Sequence, residues 1–366
     1  MDEPAIDTRE VASVSADPVG SAYERFVGRK MLFVLVNLAL LSIIFLVAIG
    51  IGPVRLPLAD VVDAFLGRAD VTTSTIVWQI RLPQALAAIV AGAGLSIAGA
   101  AMQNVLRNPL GSPFTLGISQ AAAFGAAFAI VFLGVGAAAG SDATPVISNP
   151  YVVTLSAFAW SMVSTGAILL LVRYSRASPE TLILAGVAIG SLFTASLSLV
   201  QYVAQDVEVA AIVYWTFGDV GRATWSDLWL MLAATALGTG YFVYHSWNYT
   251  AMNAGDETAK SLGVDVDRLR LHGMVVASLV TAFVISFVGI IGFVGLVVPH
   301  IVRKLVGGDE RFLLPASVLA GAVLLLASDT VARTILAPVV LPVGILTSFI
   351  GAPLFLYLVI AGREYW

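Results

Sequence analysis

The chain contains no cysteine among its 366 residues. Disulfides, thiolate-bound metals and cysteine nucleophiles are therefore excluded. Histidine is nearly as scarce, at positions 245, 272 and 300 only, with no H-x-x-H or H-E-x-x-H pair. No metal site is expected from such a set. Charged residues make up 11% of the chain, against about 25% in soluble domains. Lysine is the rarest of them, with three against 16 arginines. There is no G-x-x-x-x-G-K-[ST] phosphate loop, so the chain is not expected to bind or hydrolyse ATP by itself. No serine, histidine and acid cluster and no paired carboxylates within an apolar run are visible. An enzyme is not expected, and neither a cofactor in this chain nor a nucleic-acid partner is implied.

What is present is apolar. Hydrophobic residues reach 59%, and several runs approach the roughly 20 residues that cross a bilayer as a helix. The short alternating segments of an outer-membrane barrel are missing. The expectation is an all-α polytopic membrane protein embedded in the lipid bilayer of the cell membrane. Ten spans are placed at about 31–52, 82–105, 114–135, 150–173, 181–205, 225–246, 269–288, 289–306, 313–333 and 343–361. Residues 1–30 are rich in Asp and Glu and read as a solvated, disordered cytoplasmic tail rather than a signal peptide. Residues 31–363 form a single transmembrane domain. With both termini inside, the inner segments carry all three lysines and 11 arginines, and the outer segments carry five arginines. That asymmetry follows the positive-inside rule.

Two outer segments stand out. In 53–80, P-L-A-D-V-V-D-A-F-L has apolar residues at helical spacing with Asp60 and Asp63 on the other face, which predicts a short interfacial helix. Residues 206–224, with Asp206, Glu208 and Trp215 followed by Trp225, read as an outer interface with its aromatic belt.

The other spans are organised around residues 289–311, G-I-I-G-F-V-G-L-V-V-P-H-I-V-R-K-L-V-G-G-D-E-R. Three glycines and Pro299 interrupt the run before Arg303, Lys304 and Arg311. Such breaks are tolerated in a membrane where neighbouring helices or a water path satisfy the freed backbone groups. An interrupted segment beside a translocation path is expected, although hydropathy alone also allows one long kinked helix from 269. Asp329 and Arg333 are four apart and share a helix face. Their bland reading is a neutralised pair near the outer end of the span; their functional reading is docking or lining a path. His300 reads as a structural, hydrogen-bonded histidine. In the cytoplasmic loop 247–268, Gly255 followed by Asp256 and Glu257 marks a helix start. Ala259 and Leu262 give it a small apolar face, and Gly263 ends it. This is either a solvated connector or a short helix offered to a cytoplasmic partner.

Ten blocks in order then carry a resemblance. They are W-Q-I-R-L-P at 78–83, A-G-A-G-L-S-I-A-G-A-A-M-Q at 91–103, R-N-P-L-G-S-P-F-T-L-G-I-S at 107–119, L-I-L-A-G-V-A-I-G at 182–190, Y-W-T-F-G at 214–218, G-D-E-T-A-K-S-L-G at 255–263, G-F-V-G-L-V-V-P-H-I-V-R at 292–303, L-L-P-A-S at 313–317, D-T-V-A-R at 329–333 and L-P-V-G-I-L-T-S-F-I-G-A-P-L-F at 341–355. The chain resembles the permease subunits of the FecCD-like, type II ABC importers for iron-siderophore, haem and cobalamin uptake, from about residue 31 to 363.

The resemblance implies a homodimer of ten-span subunits with the pathway on the dimer axis. It implies two ATP-binding cassette subunits below, which carry the ATP and magnesium, and an extracytoplasmic substrate-binding protein above. The cargo would be a bulky metal chelate, with cobalamin slightly favoured by W-Q-I-R-L-P. The ATPase-coupling loop corresponds to Gly255, Asp256, Glu257, Ala259, Leu262 and Gly263, with Asp256, Glu257, Ala259 and Leu262 as contacts. The cytoplasmic gates correspond to Asn108 and Leu110, and to Ser178, Pro179, Glu180 and Thr181, where Pro179-Glu180 departs from the small hydroxyl residues of the cobalamin permease. Binding-protein docking would fall to Arg81 and Arg333, with Gln84 at the position of a companion arginine. Span five and its copy in the second subunit would line the path with small and apolar residues, and affinity would reside in the binding protein. The alternative, a stand-alone secondary carrier or channel, would lack a use for the coupling loop.

Overall fold

A computed structural model describes residues 18–135, 138–139, 145–175 and 179–361. Helices occupy all ten expected segments: α1 (Pro18–Gly50), α4 (Leu82–Val105), α5 (Ile118–Phe132), α6 (Pro150–Ser175), α7 (Pro179–Val203), α9 (Trp225–Tyr244), α12 (Val266–Val288), α13 (Val294–Val306), α14 (Glu310–Ile335) and α15 (Val343–Ala361). Between them lie α2 (Leu58–Phe65), α3 (Val71–Thr75), α8 (Asp206–Thr216), α10 (Ser246–Asn253) and α11 (Asp256–Ser261). Among the described residues, the only strands are an antiparallel pair of two residues each, Ala138–Ala139 with Pro145–Val146. Six helical stretches are long and apolar enough to cross a bilayer, and 118–132 and 343–357 are shorter apolar helices.

Several boundaries differ from the sequence expectation. Helix α1 begins at Pro18, so helix reaches into the segment expected to be tail; residues 1–17 lie outside the described residues. The second span does not start at residue 82. Asp70 caps α3 by accepting hydrogen bonds from the amides of Thr72 (3.0 Å) and Thr73 (3.2 Å), and a π turn, Ile76–Arg81, carries the helix without interruption into α4. Helix α2 forms where expected, but Asp60 and Asp63 are half-buried, and Leu58, Ala59, Val62 and Phe65 are the exposed residues. Helix α8 was not expected. Its signal was Gln205 followed three residues later by Glu208, whose carboxylate accepts from the Gln205 amide at 2.9 Å as in a capping box.

Helix α4 is the axis of the molecule. Only Leu86 and Ile89 of its residues escape full burial, and it packs against α14, α12, α13 and α9. Its small residues make this possible, since backbones approach closely where side chains are absent. A Cβ on Gly92 would overlap the Gly321 carbonyl of α14, and a Cβ on Gly99 would overlap the Gly295 carbonyl of α13.

The break near Gly289 is real. Helix α12 ends at Val288, Gly289 has φ +77° and Phe293 has φ +67°, and α13 starts at Val294. The chain after α8 fills this gap. The Asp219 amide donates to the Val288 carbonyl at 2.7 Å, and the Gly344 amide donates to the Gly218 carbonyl at 3.0 Å. The Val288 carbonyl, freed by the break, is thus satisfied inside the protein, as a membrane requires. Pro299 lacks the amide that would bond to the carbonyl of Gly295; that carbonyl faces Gly99. One residue on, Gln103 of α4 donates to the Leu296 carbonyl at 3.0 Å.

Candidate functional site

The segment expected to reach a partner forms two short helices, α10 and α11. Helix α11 starts at Asp256, and Gly255 and Gly263 flank it in left-handed conformations of φ +114° and +86°. Glu257 and Leu262 are exposed, Leu262 by 68%. Ala259 is fully buried, so it seats the helix on the protein and is not available as a contact. Asp256 faces inward as well. Its carboxylate meets Arg107 at 2.7 Å and Arg270 at 3.2 Å. Arg107 also donates to the Met252 carbonyl at 3.2 Å, and Arg270 to the Val105 carbonyl at 3.2 Å. The first helical turn is therefore tied to the C-terminal end of α4 and to α12.

Below this tie lies a second polar layer. Glu310, the first residue of α14, is fully buried. One carboxylate oxygen accepts from Asn104 of α4 (3.1 Å), Asn253 of α10 (3.1 Å) and Arg303 of α13 (3.2 Å). Asn104 also donates to the Asn253 side chain (2.9 Å) and to the Tyr249 carbonyl (3.1 Å). Beside it, Asp309 pairs with Arg311 at 2.5 Å, and hydrogen bonding to that guanidinium holds its carboxyl below the usual carboxylate range. Lys30 of α1 reaches the same carboxylate at 4.0 Å. One end of α4 is thus clamped to α1, α10, α11, α12, α13 and α14.

The chain leaves that clamp through Arg107, a non-glycine residue at φ +46°. Such a conformation costs about 1–2 kcal/mol. The next residues form a tight turn in which the Asn108 side chain accepts from the Leu110 amide at 2.8 Å. Asn108 is half-buried and Leu110 exposed. With Gln103, Arg107, Asn253, Gly255 and Arg303, Asn108 lines a cavity of about 420 Å³. Of the second expected gate, Glu180 and Thr181 are exposed in the first turn of α7, and Pro179 is the first residue of that helix; Ser178 lies outside the described residues. The two gate segments are linked by packing, because α7 rests on the turn Pro113–Leu116 that follows Leu110. Along α7, Thr181, Leu184, Ala188, Ser191, Ala195, Ser198 and Tyr202 recur at helical spacing, and all are exposed. The hydroxyls of Ser191 and Ser198 return to carbonyls four residues earlier, at 2.8 and 3.1 Å.

The opposite end of α4 corrects the docking expectation. Arg81 and Arg333 are each only 3% exposed, so neither can be an exposed contact for another protein. Arg81 donates to the carbonyls of Ile49 (2.6 Å), Gly50 (2.8 Å) and Val54. Arg333 pairs with Asp329 at 2.9 Å and donates to the Ala48 carbonyl at 3.4 Å. Helices end with carbonyls that have no partner, at the negative end of the dipole. The two arginines cap the C-terminus of α1. Gln84 completes the arrangement by donating to Asp329 at 3.0 Å. Replacing Arg81 with leucine is expected to lower stability by about 2–4 kcal/mol, since buried carbonyls lose charged donors. Thermal unfolding in detergent measures this, with Arg81→Lys retaining part of the loss. An unchanged transition would refute the capping role.

The residues that sequence reasoning did not single out are Asn104, Arg107, Asn253, Arg270, Arg303 and Glu310 as one network. A signal existed in part: Gln103 and Asn104 are adjacent polar residues closing a largely apolar helix. Among the described residues, no three His, Cys, Asp or Glu side chains converge as a metal site would require.

Comparison with known proteins fits this arrangement. The model of the FecCD transport family matches residues 40–361. A Methanocaldococcus jannaschii chain, named by type as an ABC transporter permease protein, is 52% identical over 338 residues, covering 92% of this chain and 97% of that one. The hemin transport system permease protein of Yersinia pestis is 36% identical over 303 residues, covering 81% and 87%. Further relatives are named for import of ferric citrate, cobalamin and iron(3+)-hydroxamate. A solved structure assigned to the metal-chelate type of ABC transporter, in an inward-facing conformation, superposes with a TM-score of 0.77 at 31% identity, covering 89% of this chain and 98% of that one.

Proposed function

The chain belongs to the FecCD transport family, and from that premise we propose how it works as the membrane permease of an ABC importer for metal chelates. The permease is a homodimer whose pathway lies between the two copies of α7. Both termini face the cytoplasm, so the end of α4 that carries Arg107 is the cytoplasmic end. The cargo is a bulky chelate: cobalamin, a ferric siderophore or haem. A binding protein delivers it from outside, and two ATPase subunits supply the energy at the cytoplasmic face.

The observation that carries this reading is α11. It is a short helix, seated by Ala259 and Asp256, that holds Glu257 and Leu262 outward at the end where four helices converge on Glu310. A helix so anchored and so exposed suits a partner that pushes on it. The turn 107–111 and the start of α7 act as the cytoplasmic gate. The exposed stripe of α7 is small, hydroxylic and apolar, which suits a surface that lets cargo slide without holding it. A proton-coupled stand-alone carrier would need an unpaired acid at mid-membrane; Asp329 is paired with Arg333 and Gln84.

The test is uptake by cells deleted for this gene, supplied in parallel with labelled cobalamin, ferrichrome and hemin. Loss of one uptake, restored by the intact gene and not by a Glu257→Ala, Leu262→Ala double variant, fixes the cargo and the coupling surface. Full restoration by the double variant would show that α11 is not that surface.

A further inference from the structure

We propose that Asp256 and Arg107 form a clasp through which displacement of α11 turns the gate segment 107–110. The inference rests on the permease reading above and assigns a role to two side chains within it.

Arg107 has two mechanical attributes at once. It is a joint, because a left-handed non-glycine residue directly follows the C-cap Leu106 of α4 and sets the direction in which Asn108 and Leu110 leave the helix. It is also a handle, because its guanidinium is gripped by the Asp256 carboxylate at 2.7 Å and by the Met252 carbonyl at 3.2 Å. Strained conformations of this kind persist where the surroundings hold them, and they cluster at moving parts. Both gripping groups belong to the α10–α11 unit.

The rest of α4 is held fixed. Asn104 is buried in the layer around Glu310, and Arg270 grips the Val105 carbonyl. A push on α11 therefore meets a rigid helix up to Leu106 and a hinged turn beyond it. Among the described residues, Arg107 joins the pushed helix to the hinged turn through its ion pair with Asp256 and its hydrogen bond to Met252. Asp256 is 32% exposed and Arg107 39% exposed. Pairs this exposed add little to stability, so the contact suits transmission more than support. Arg270 takes the second carboxylate oxygen at 3.2 Å, which orients Asp256 toward Arg107.

The experiment uses the complete complex, permease with its ATPase and binding protein, in proteoliposomes. Uptake of labelled cobalamin, ferrichrome and hemin is measured per ATP hydrolysed. Asp256→Asn keeps the shape of the grip and removes its charge. Arg107→Gly keeps the left-handed joint at no steric cost and removes the handle. Each is expected to lower uptake per ATP by about fivefold or more, and the double variant is expected to be no worse than either single one. Asp256→Glu and Arg107→Lys retain most of the ratio. An unchanged ratio in Asp256→Asn, or additive losses in the double variant, would overturn the clasp.

A second measurement needs no cargo and no clasp variant. The chain has no cysteine, so spin labels can be placed at will. With labels on Leu110, Leu262 and Leu305 in pairs, the clasp requires that trapping ATP on the partner moves Leu110 and Leu262 together relative to Leu305. Movement of Leu262 alone would overturn it. If the wild-type complex assembles and takes up none of the three chelates, the assignment of cargo and role fails instead, and the labels still report on the clasp.

Discussion

Replacing Gly99 by valine is expected to leave no assembled protein in the membrane. The reason is geometric. A Cβ at this position would sit on the Gly295 carbonyl, with the Gly295 carbon and Cα also inside contact distance at 2.6 Å or less. All three are backbone atoms of α13, so no rotamer change can make room. The neighbouring helices cannot yield either, since α4 is surrounded by α9, α12, α13 and α14. Even Gly99→Ala is expected to cost about 3 kcal/mol, the upper part of the usual range for overpacking. Gly240→Ala in α9 is the control. Nothing lies within 4 Å of a Cβ there, and alanine is a better helix former than glycine by about 1 kcal/mol. Membrane-extracted yield of monodisperse protein and its thermal midpoint in detergent distinguish the two. Equal behaviour of Gly99→Val and Gly240→Ala would refute the close crossing of α4 and α13.

The glycines that make this crossing were visible in the sequence as a dense small-residue run, and so was the broken segment they face. Hydropathy located the apolar segments because lipid imposes length and apolar character on them, but only six of the described helical stretches are long and apolar enough to cross a bilayer, and the glycines marked the break between α12 and α13. The start and end of α11 were legible because Gly255, Asp256 and Gly263 act locally through the helix dipole and the left-handed caps. The pairing of Asp329 with Arg333 followed from a spacing of four. What could not be read was anything settled between distant segments. Arg81 has the same local sequence whether it faces water at an interface or the carbonyl ends of α1. Only the fold, which brings α1, α4 and α14 together, makes it a cap. Asp256 looked like a surface acid for the same reason: Arg107 is far away in the chain, and only the end of α4 brings it close. Ala259 and Leu262 read as one apolar face in the sequence, but Ala259 is turned into the protein while Leu262 is exposed. Residue patterns report a face and not its partner, so contacts with other chains and contacts within this chain look alike from sequence.

The layer around Glu310 gives the other large effect. Glu310→Ala is expected to destabilise the protein by about 3 kcal/mol, the lower end for breaking a buried ion pair. The lower end applies because Arg303 retains 29% exposure and can recover some hydration. Asn104 cannot, because it is 4% exposed and loses one of the acceptors that fix its amide, whereas Asn253 is exposed. Glu310→Gln keeps one acceptor oxygen in place and is expected to recover more than half of the loss. The same pair of variants separates stability from coupling. If the layer serves as the fixed base against which the 107–110 turn moves, Glu310→Gln lowers the thermal midpoint only slightly while uptake per ATP stays near that of the wild type. Glu310→Ala frees the end of α4 and lowers both. A Glu310→Ala protein that unfolds at the wild-type midpoint would mean that α4 is held by its small-residue crossings alone, and that the polar layer is not the base of the moving part.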